Sequence, residues 1–243
     1  MELIICKDEE AGSKRAYQII KDTLKKKPNL VLGLATGTSP IKLYKLMIED
    51  NLEGNTTYAD VKTFNLDEYI GLAEDHEQSY RYFMNQTLFN HLDILIENTY
   101  VPRGVGDSCQ NAEEYDEILK YLGPADIQIL GIGSNGHIAF NEPGTDFNLT
   151  THITDLTKST IEDNSRLFNN ISEVPTKALT MGISSIMKSK KIILLAFGEK
   201  KADAIKKLLS GKITSEFPAS ILNKHHAAII ICDEKVASKL SIN

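Results

Sequence analysis

Three short polar segments of this chain carry side chains suited to moving a proton or holding an anion. The longest is Gly131-Ile132-Gly133-Ser134-Asn135-Gly136-His137-Ile138-Ala139-Phe140-Asn141-Glu142-Pro143-Gly144. It contains G-x-G-x-x-G, which in a dinucleotide site runs straight into a helix. Here His137 follows the last glycine at once, and Pro143-Gly144 closes the segment within about two helical turns. The nicotinamide reading is therefore set aside. What remains is a glycine loop presenting Asn135, His137 and Glu142. Imidazole moves protons near neutral pH, and a carboxylate can hold it in the required tautomer. A lone histidine is more often structural, but the loop and the Asn-Glu pair around this one favour chemistry.

The second segment is Phe64-Asn65-Leu66-Asp67-Glu68-Tyr69, where two carboxylates follow an apolar run. A carboxylate partly removed from water gains basicity and can abstract a proton next to a carbonyl or imine. A solvated loop or a helix cap fits the same residues equally well. The third is Gly33-Leu34-Ala35-Thr36-Gly37-Thr38-Ser39-Pro40. Its small residues and hydroxyls at a helix start suit a phosphate, and an ordinary strand-to-helix turn is the plainer alternative. It is not a Walker A loop, since no Gly-Lys-Ser/Thr follows. Lys200 and Lys201 come after Gly198 at a strand end, so one of them reaches an anion or both are surface charge. His225-His226 lacks acidic or cysteine partners at ligand spacing and reads as an exposed or capping pair. His76 and His91 look incidental.

These segments need elements to position them. Residues 3–6, 30–34, 61–66, 127–132, 192–197 and 228–232 are short β-branched runs, near-continuously apolar, as strands covered on both faces require. Between them, residues 8–26, 41–50, 79–92, 112–121 and 200–209 carry helical spacing. Ser39-Pro40 reads as a helix start, a hydroxyl cap followed by proline. The alternation predicts an α/β fold: a mostly parallel sheet with helices on both faces, a Rossmann-like three-layer arrangement. Residues 145–179 are less regular, and read as an insertion or lid with a short helix near 159–169. With no repeat and no Gly/Ser-rich linker, a single domain over 1–243 is the simplest organisation. In such sheets ligands bind beyond the carboxyl ends of strands, where all three polar segments fall.

A net charge of -6 argues against general nucleic-acid binding, which needs clustered Lys and Arg. No apolar run reaches the length of a membrane span, and residues 1–10 do not read as a signal peptide. Cys6, Cys109 and Cys232 are odd in number and far apart, fitting neither a disulfide framework nor a zinc site. Cys6 and Cys232, in apolar runs, read as buried thiols. The expected address is the cytoplasm.

Taken together, Leu-Ala-Thr-Gly-Thr-Ser-Pro at 34–40, Phe-Asn-Leu-Asp-Glu-Tyr at 64–69 and Gly-His-Ile-Ala-Phe-Asn-Glu-Pro at 136–143 resemble the glucosamine-6-phosphate deaminase family. Asn164-Ser165-Arg166, Ala178-Leu179-Thr180 and Ile231-Cys232-Asp233-Glu234 extend the likeness over essentially the whole chain. The resemblance implies hydrolytic deamination of D-glucosamine 6-phosphate to D-fructose 6-phosphate and ammonium, without cofactor or metal. It implies that Asp67 takes the C2 proton and returns it at C1. His137 would serve ring opening, with Asn135 and Glu142 as its relay. Thr36, Gly37, Thr38, Ser39, Arg166 and Lys201 would hold the phosphate, and the segment bearing Arg166 would be a lid. Some family members have Asp where this chain has Asn135; a neutral amide orients imidazole without stabilising imidazolium, which leaves that task to Glu142. The chain is shorter at its C-terminus than the family's allosteric hexamers, so a monomer or small homo-oligomer is expected. The expected partner is a small sugar phosphate, with no nucleic acid and no membrane. A 6-phosphogluconolactonase-like hydrolase is the near alternative; it would need no C2 base at position 67. A non-catalytic sugar-phosphate sensor is the other, although such proteins normally carry a DNA-binding segment, for which the stretch before Leu30 is too short.

Overall fold

The computed structural model describes residues 1–165, 168 and 170–240, the side chain at 163 excepted. In chain order its elements are β1 (Glu2–Cys6), α1 (Glu9–Lys26), β2 (Val31–Leu34), α2 (Ile41–Leu52), β3 (Lys62–Asn65), β4 (Asp67–Tyr69), α3 (Tyr80–Thr87), β5 (Thr99–Tyr100), α4 (Ser108–Leu122), β6 (Ile127–Leu130), β7 (His152–Asp155), α5 (Lys158–Ser165), β8 (Lys177–Thr180), α6 (Ile183–Ile186), β9 (Ile192–Ala196), α7 (Ala202–Leu209), β10 (Ala228–Asp233) and α8 (Glu234–Ala237). Seven strands form a parallel sheet in the order β1-β10-β9-β6-β2-β3-β5. Strands β2, β6, β9 and β10 are buried along their whole length, which is why they read as near-continuous apolar runs.

The strand order locates the crevice. From β2 the chain winds outward to β3 and then β5, whereas from β6 it winds the other way, to β9 and then β10. Right-handed crossovers then put α1 and α2 on one face and α4 and α7 on the other. Helices α1 and α2 do pack on each other. The loops leaving the adjacent strands β2 and β6 therefore diverge, and the gap beyond their carboxyl ends is the topological switch point where such sheets bind ligands.

Local sequence explains the elements. Asp8 caps α1 by accepting the Ala11 N–H at 2.9 Å, with Glu9 and Glu10 in the first turn and Lys25 and Lys26 in the last. Its buried stripe of Ala16, Tyr17, Ile20 and Leu24 follows the helical period. Asp107 accepts the N–H groups of Cys109 and Gln110, which starts α4 at Ser108, ahead of the periodic stretch that predicted 112–121. The expected helix over 79–92 ends at Thr87 and gives way to a 3-10 turn at Phe89–His91. Helix α2 begins at Ile41 with Pro40 at its cap position and no side-chain cap bond, so Ser39 does not cap it as its sequence suggested.

Residues 145–179 are more regular than their composition suggested. They supply β7 and most of β8, which join β4 in a second, antiparallel sheet of order β4-β8-β7, and between them α5. Strand β7 alternates half-buried and exposed residues and is rich in polar side chains, which hides it among loop residues. Tyr69, Phe140, Leu156 and Ala178 form a small apolar cluster beneath this sheet, apart from the main core. Among the described residues, no helix is long and apolar enough to cross a membrane. His225 is buried rather than exposed; its ring contacts the Ser189 carbonyl at 2.8 Å and accepts the Ala227 N–H at 3.1 Å. Cys232 is buried, while Cys6, on the edge strand β1, is only half-buried.

Candidate active site

The chain leaves the parallel sheet at Leu66 and enters the antiparallel one at once, so Asp67 opens β4. Successive strand side chains point to opposite faces, which separates the two carboxylates that sequence alone could not tell apart. Glu68 accepts N–H bonds from Tyr69, Tyr80 and Arg81 at 2.8, 2.9 and 3.0 Å. It thereby ties β4 to the N-terminus of α3, a structural use of a carboxylate. Burial pushes Glu68 up, to about 7, against the opposing pull of those N–H groups and Arg81. Asp67 is buried, and among the described residues nothing donates a hydrogen bond to it. Burial, and then the negative charge of Glu68, push Asp67 up to about 8. A buried carboxylate without a partner is unusual in a purely structural role.

Asp67 pairs across the antiparallel ladder with Thr180, so their side chains share a face. The Thr180 hydroxyl accepts the Phe140 N–H at 3.1 Å, three residues beyond His137. Asn141 donates to the carbonyls of Ile138 and Met181 at 3.0 and 2.9 Å, and the Met181 N–H bonds to Leu66 O at 2.7 Å. Tyr69, on the Asp67 face, packs on Tyr80 and Phe140 with ring centroids 4.9 and 5.6 Å apart. The segment 64–69 and the histidine loop are thus fastened together on the side toward which Asp67 points.

His137 sits on Gly133: a Cβ there would lie 2.3 Å from the imidazole Cε1, so only glycine permits this packing. The His137 N–H bonds to Asn135 Oδ1 at 3.1 Å, and Asn135 Nδ2 donates to Glu142 Oε2 at 2.8 Å. His137 Nδ1 stands 3.6 Å from the same Oε2, an ion-pair distance rather than a hydrogen bond. The other oxygen, Oε1, accepts from the hydroxyl of Thr160 and, at 3.2 Å, from that of Thr157. Burial raises the Glu142 carboxyl, but His137, Thr160 and Asn135 outweigh it and hold it down near 2. Glu142 is a fixed anion, opposite in character to Asp67. Ala139 adopts φ 52, a conformation uncommon outside glycine and, in this loop, a local strain.

The Thr36-to-Ser39 loop leaves β2 across the switch point. Tyr44 of α2 pins its start, donating to Ala35 O at 2.6 Å and accepting the Ala35 N–H at 3.2 Å. Gly37 takes φ 88, which turns the loop over. Gly37 and Thr38 are exposed and Thr36 and Ser39 half-buried. The half-buried Tyr80 side chain neighbours Thr36 as well as Asp67, which links this loop to the carboxylate. Lys201 reaches the histidine loop, its Nζ 2.7 Å from Ile132 O. Arg166 lies outside the described residues. An open cavity of about 590 Å3 beside Thr38, Ser39 and Gly198 is lined further by Lys7, Lys42 and Asp233. Neither Asp67 nor His137 lines it, so this hollow is not where those two groups meet. Among the described residues, no three His, Cys, Asp or Glu side chains cluster as metal ligands would.

Sequence reading thus brought out Asn135, His137 and Glu142, which share one loop that Lys201 also reaches, and Asp67, which Thr180 ties to that loop; it also named Thr36, Gly37, Thr38 and Ser39, of which Thr36 neighbours Tyr80. It missed Tyr80, Thr157, Thr160 and Thr180. Thr157 and Thr160 lie just before and within α5 in the stretch taken as irregular, Thr180 directly follows that stretch in β8, and the Thr-rich composition there was the available signal.

Residues 9–231 match the family described as glucosamine-6-phosphate isomerases/6-phosphogluconolactonase. A glucosamine-6-phosphate deaminase of Clostridium beijerinckii is 51% identical over 241 residues, covering 99% of this chain and 100% of the relative. The solved structure of a monomeric glucosamine-6-phosphate deaminase superposes with a TM-score of 0.96 at 43% identity, covering 98% of this chain and 100% of its own. A 6-phosphogluconolactonase structure from Trypanosoma cruzi, at 19% identity and a TM-score of 0.82 over 99% of this chain and 97% of its own, shares the fold alone. The chain belongs to the glucosamine-6-phosphate isomerase/6-phosphogluconolactonase family.

Proposed function

We infer that this chain converts D-glucosamine 6-phosphate and water into D-fructose 6-phosphate and ammonium, a step of amino-sugar catabolism. The observation that carries the reading is that Asp67, buried and with no hydrogen-bond donor among the described residues, shares its face of β4 and β8 with Thr180, which accepts the Phe140 N–H from the loop that carries His137 and Glu142. Relatives that carry this activity by name match the chain along its whole length.

The reaction divides between the two groups. His137 takes the proton of the anomeric hydroxyl and gives it to the ring oxygen; the C1–O5 bond breaks and C1 becomes an aldehyde. Glu142 stabilises the imidazolium formed on the way, and Asn135 holds Glu142 and the loop in register. Asp67 then takes the C2 proton while the substrate's ammonium gives one proton to O1, leaving a C1–C2 enolamine with a hydroxyl at C1, and Asp67 returns a proton to C1 on the same face. Water adds to the resulting C2 imine and ammonia leaves, so that atoms and charge balance. A carboxylate whose pKa lies well above the ordinary range is a stronger base for this C–H than an exposed one. The substrate's own ammonium favours ionisation of Asp67 as it binds.

Thr36, Gly37, Thr38, Ser39 and Lys201, with Arg166, hold the phosphate in this reading, and that remote contact aligns C1 and C2 over Asp67. The segment around 145–179, which carries α5, acts as the lid. The single domain works as a monomer or small homo-oligomer, in keeping with a monomeric relative of 43% identity. A cytoplasmic address suits its three free thiols. The test is a coupled assay for ammonia and fructose 6-phosphate from glucosamine 6-phosphate, run with and without a chelator. Equal amounts of both products, unaffected by the chelator, are expected. Hydrolysis of 6-phosphogluconolactone without ammonia release from the amino sugar would overturn the assignment.

A further inference from the structure

The Glu142 carboxylate faces two layers of the molecule at once. Its Oε2 belongs to the histidine loop, 2.8 Å from Asn135 Nδ2 and 3.6 Å from His137 Nδ1. Its Oε1 belongs to α5, where it accepts from the hydroxyls of Thr160 and Thr157 and, at 3.5 Å, from the Thr157 N–H. Thr160 is 3% exposed and Glu142 5%, so among the described residues the threonine hydroxyls are what satisfies this oxygen in place of water. The Thr157 hydroxyl also lies 3.0 Å from that of Thr160 and accepts the Thr160 N–H at 3.4 Å, so the start of α5 and the carboxylate form one network.

We propose that Thr160, seconded by Thr157, is a positioning residue for the reaction: it fixes the plane of the Glu142 carboxylate so that Oε2 faces His137, and so couples the seating of α5 to ring opening. A glutamate side chain held only through Asn135 can still turn about its last torsion, and at 3.6 Å a modest turn decides whether His137 has a partner. The hydroxyl donors on Oε1 remove that freedom. Thr160, with His137 and Asn135, also keeps Glu142 anionic, and that carboxylate gives the imidazolium the charge that the neutral Asn135 cannot. With α5 lifted from the loop, Oε1 loses its donors and His137 its oriented partner. The histidine then works on a sugar only beneath a seated helix, which also excludes water from the aldehyde it creates.

The inference rests on the deaminase reading above, and one set of assays separates the two. Thr160→Val keeps the branched, buried shape and deletes only the hydroxyl; Thr160→Ser keeps the hydroxyl. In steady-state ammonia release by the full chain, Thr160→Val is expected to lower kcat about 10- to 100-fold, the range for losing a hydrogen bond to a charged group, with KM within about threefold. Thr160→Ser is expected to recover kcat to within about threefold of the parent. Thr157→Ala, at a less buried site, is expected to lower kcat by about threefold or more and keeps the test intact if Thr160→Val fails to fold. A parent enzyme without deaminase activity would fail the reading itself. An active parent with an unaltered Thr160→Val or, if that variant does not fold, an unaltered Thr157→Ala, would overturn the positioning role alone. So would a Thr160→Ser variant as impaired as Thr160→Val, or a loss confined to KM.

Discussion

Replacing Asp67 by asparagine should abolish turnover and, at alkaline pH, make the protein more stable. The carboxyl is raised in the folded chain from about 3.8 to about 8, chiefly by burial. A group raised on folding contributes stability that is complete below its unfolded pKa and is lost as pH climbs through the folded one. Between pH 4 and pH 8 the native state therefore gives up about 1.4 kcal/mol per pH unit on account of this one side chain, with a ceiling of about 5 kcal/mol. Relaxation and water penetration around a buried charge reduce such penalties, so a swing of about 3 kcal/mol is the expected size. An asparagine has nothing to ionise and keeps its stability across that range. At pH 4.5 the two proteins should differ little, or the variant should be slightly weaker, because a buried amide without partners costs about 1–3 kcal/mol. By pH 8 the variant should be the more stable. The chain has no tryptophan, so urea unfolding followed by far-ultraviolet circular dichroism at a series of pH values is the suitable assay. A stability difference that changes by less than about 1 kcal/mol between pH 4.5 and pH 8 would refute the claim that a desolvated, unpartnered carboxylate sits at position 67. Retained ammonia release would refute its use as the base.

The remaining predictions concern the loops. His137→Gln should lower kcat on glucosamine 6-phosphate about 100-fold or more, yet act far less on an analogue lacking the 5-hydroxyl, which cannot close to a pyranose; equal losses would remove His137 from ring opening. Gly133→Ala would put a methyl 2.3 Å from His137 Cε1, so it should lower kcat at least about tenfold by displacing the imidazole, with the circular dichroism spectrum unchanged. Lys201→Ala should raise KM about 10- to 100-fold with kcat little changed, the mark of a lost charged contact to a remote phosphate; an unaltered KM would take Lys201 out of the phosphate site. Below pH 8, kcat/KM should fall as Asp67 becomes protonated, on a limb well above the ordinary carboxylate range.

Much of this arrangement was legible in the chain. All six short apolar runs are strands of the parallel sheet, and four of them, β2, β6, β9 and β10, are buried along their length because a strand covered on both faces leaves a near-continuous record of burial. The two-residue β5 at the far edge leaves none. The second sheet escaped for a related reason: β4 is the tripeptide Asp-Glu-Tyr, whose residues read as chemistry, and β7 is half exposed. Asp67 and Glu68 are alike as residues. Only the alternation of a strand, with α3 waiting on one side and Phe140 on the other, makes one a helix anchor and the other a candidate base. Glu142 was found with His137 because it lies five positions further on, whereas Thr160 lies another 18 positions along and meets Glu142 only through the packing of α5. Local spacing reveals partners within one loop; partners carried in by another layer have to be seen folded.

The most direct test of the account follows solvent deuterium into C1 of the fructose 6-phosphate made in heavy water. A single carboxylate fixed on one face of the enolamine delivers its proton from that face alone. Deuterium in one of the two C1 positions, formed by the parent and by no Asp67→Asn variant, is the expected result. Label shared equally between both positions, or product formed at the parental rate without Asp67, would contradict it.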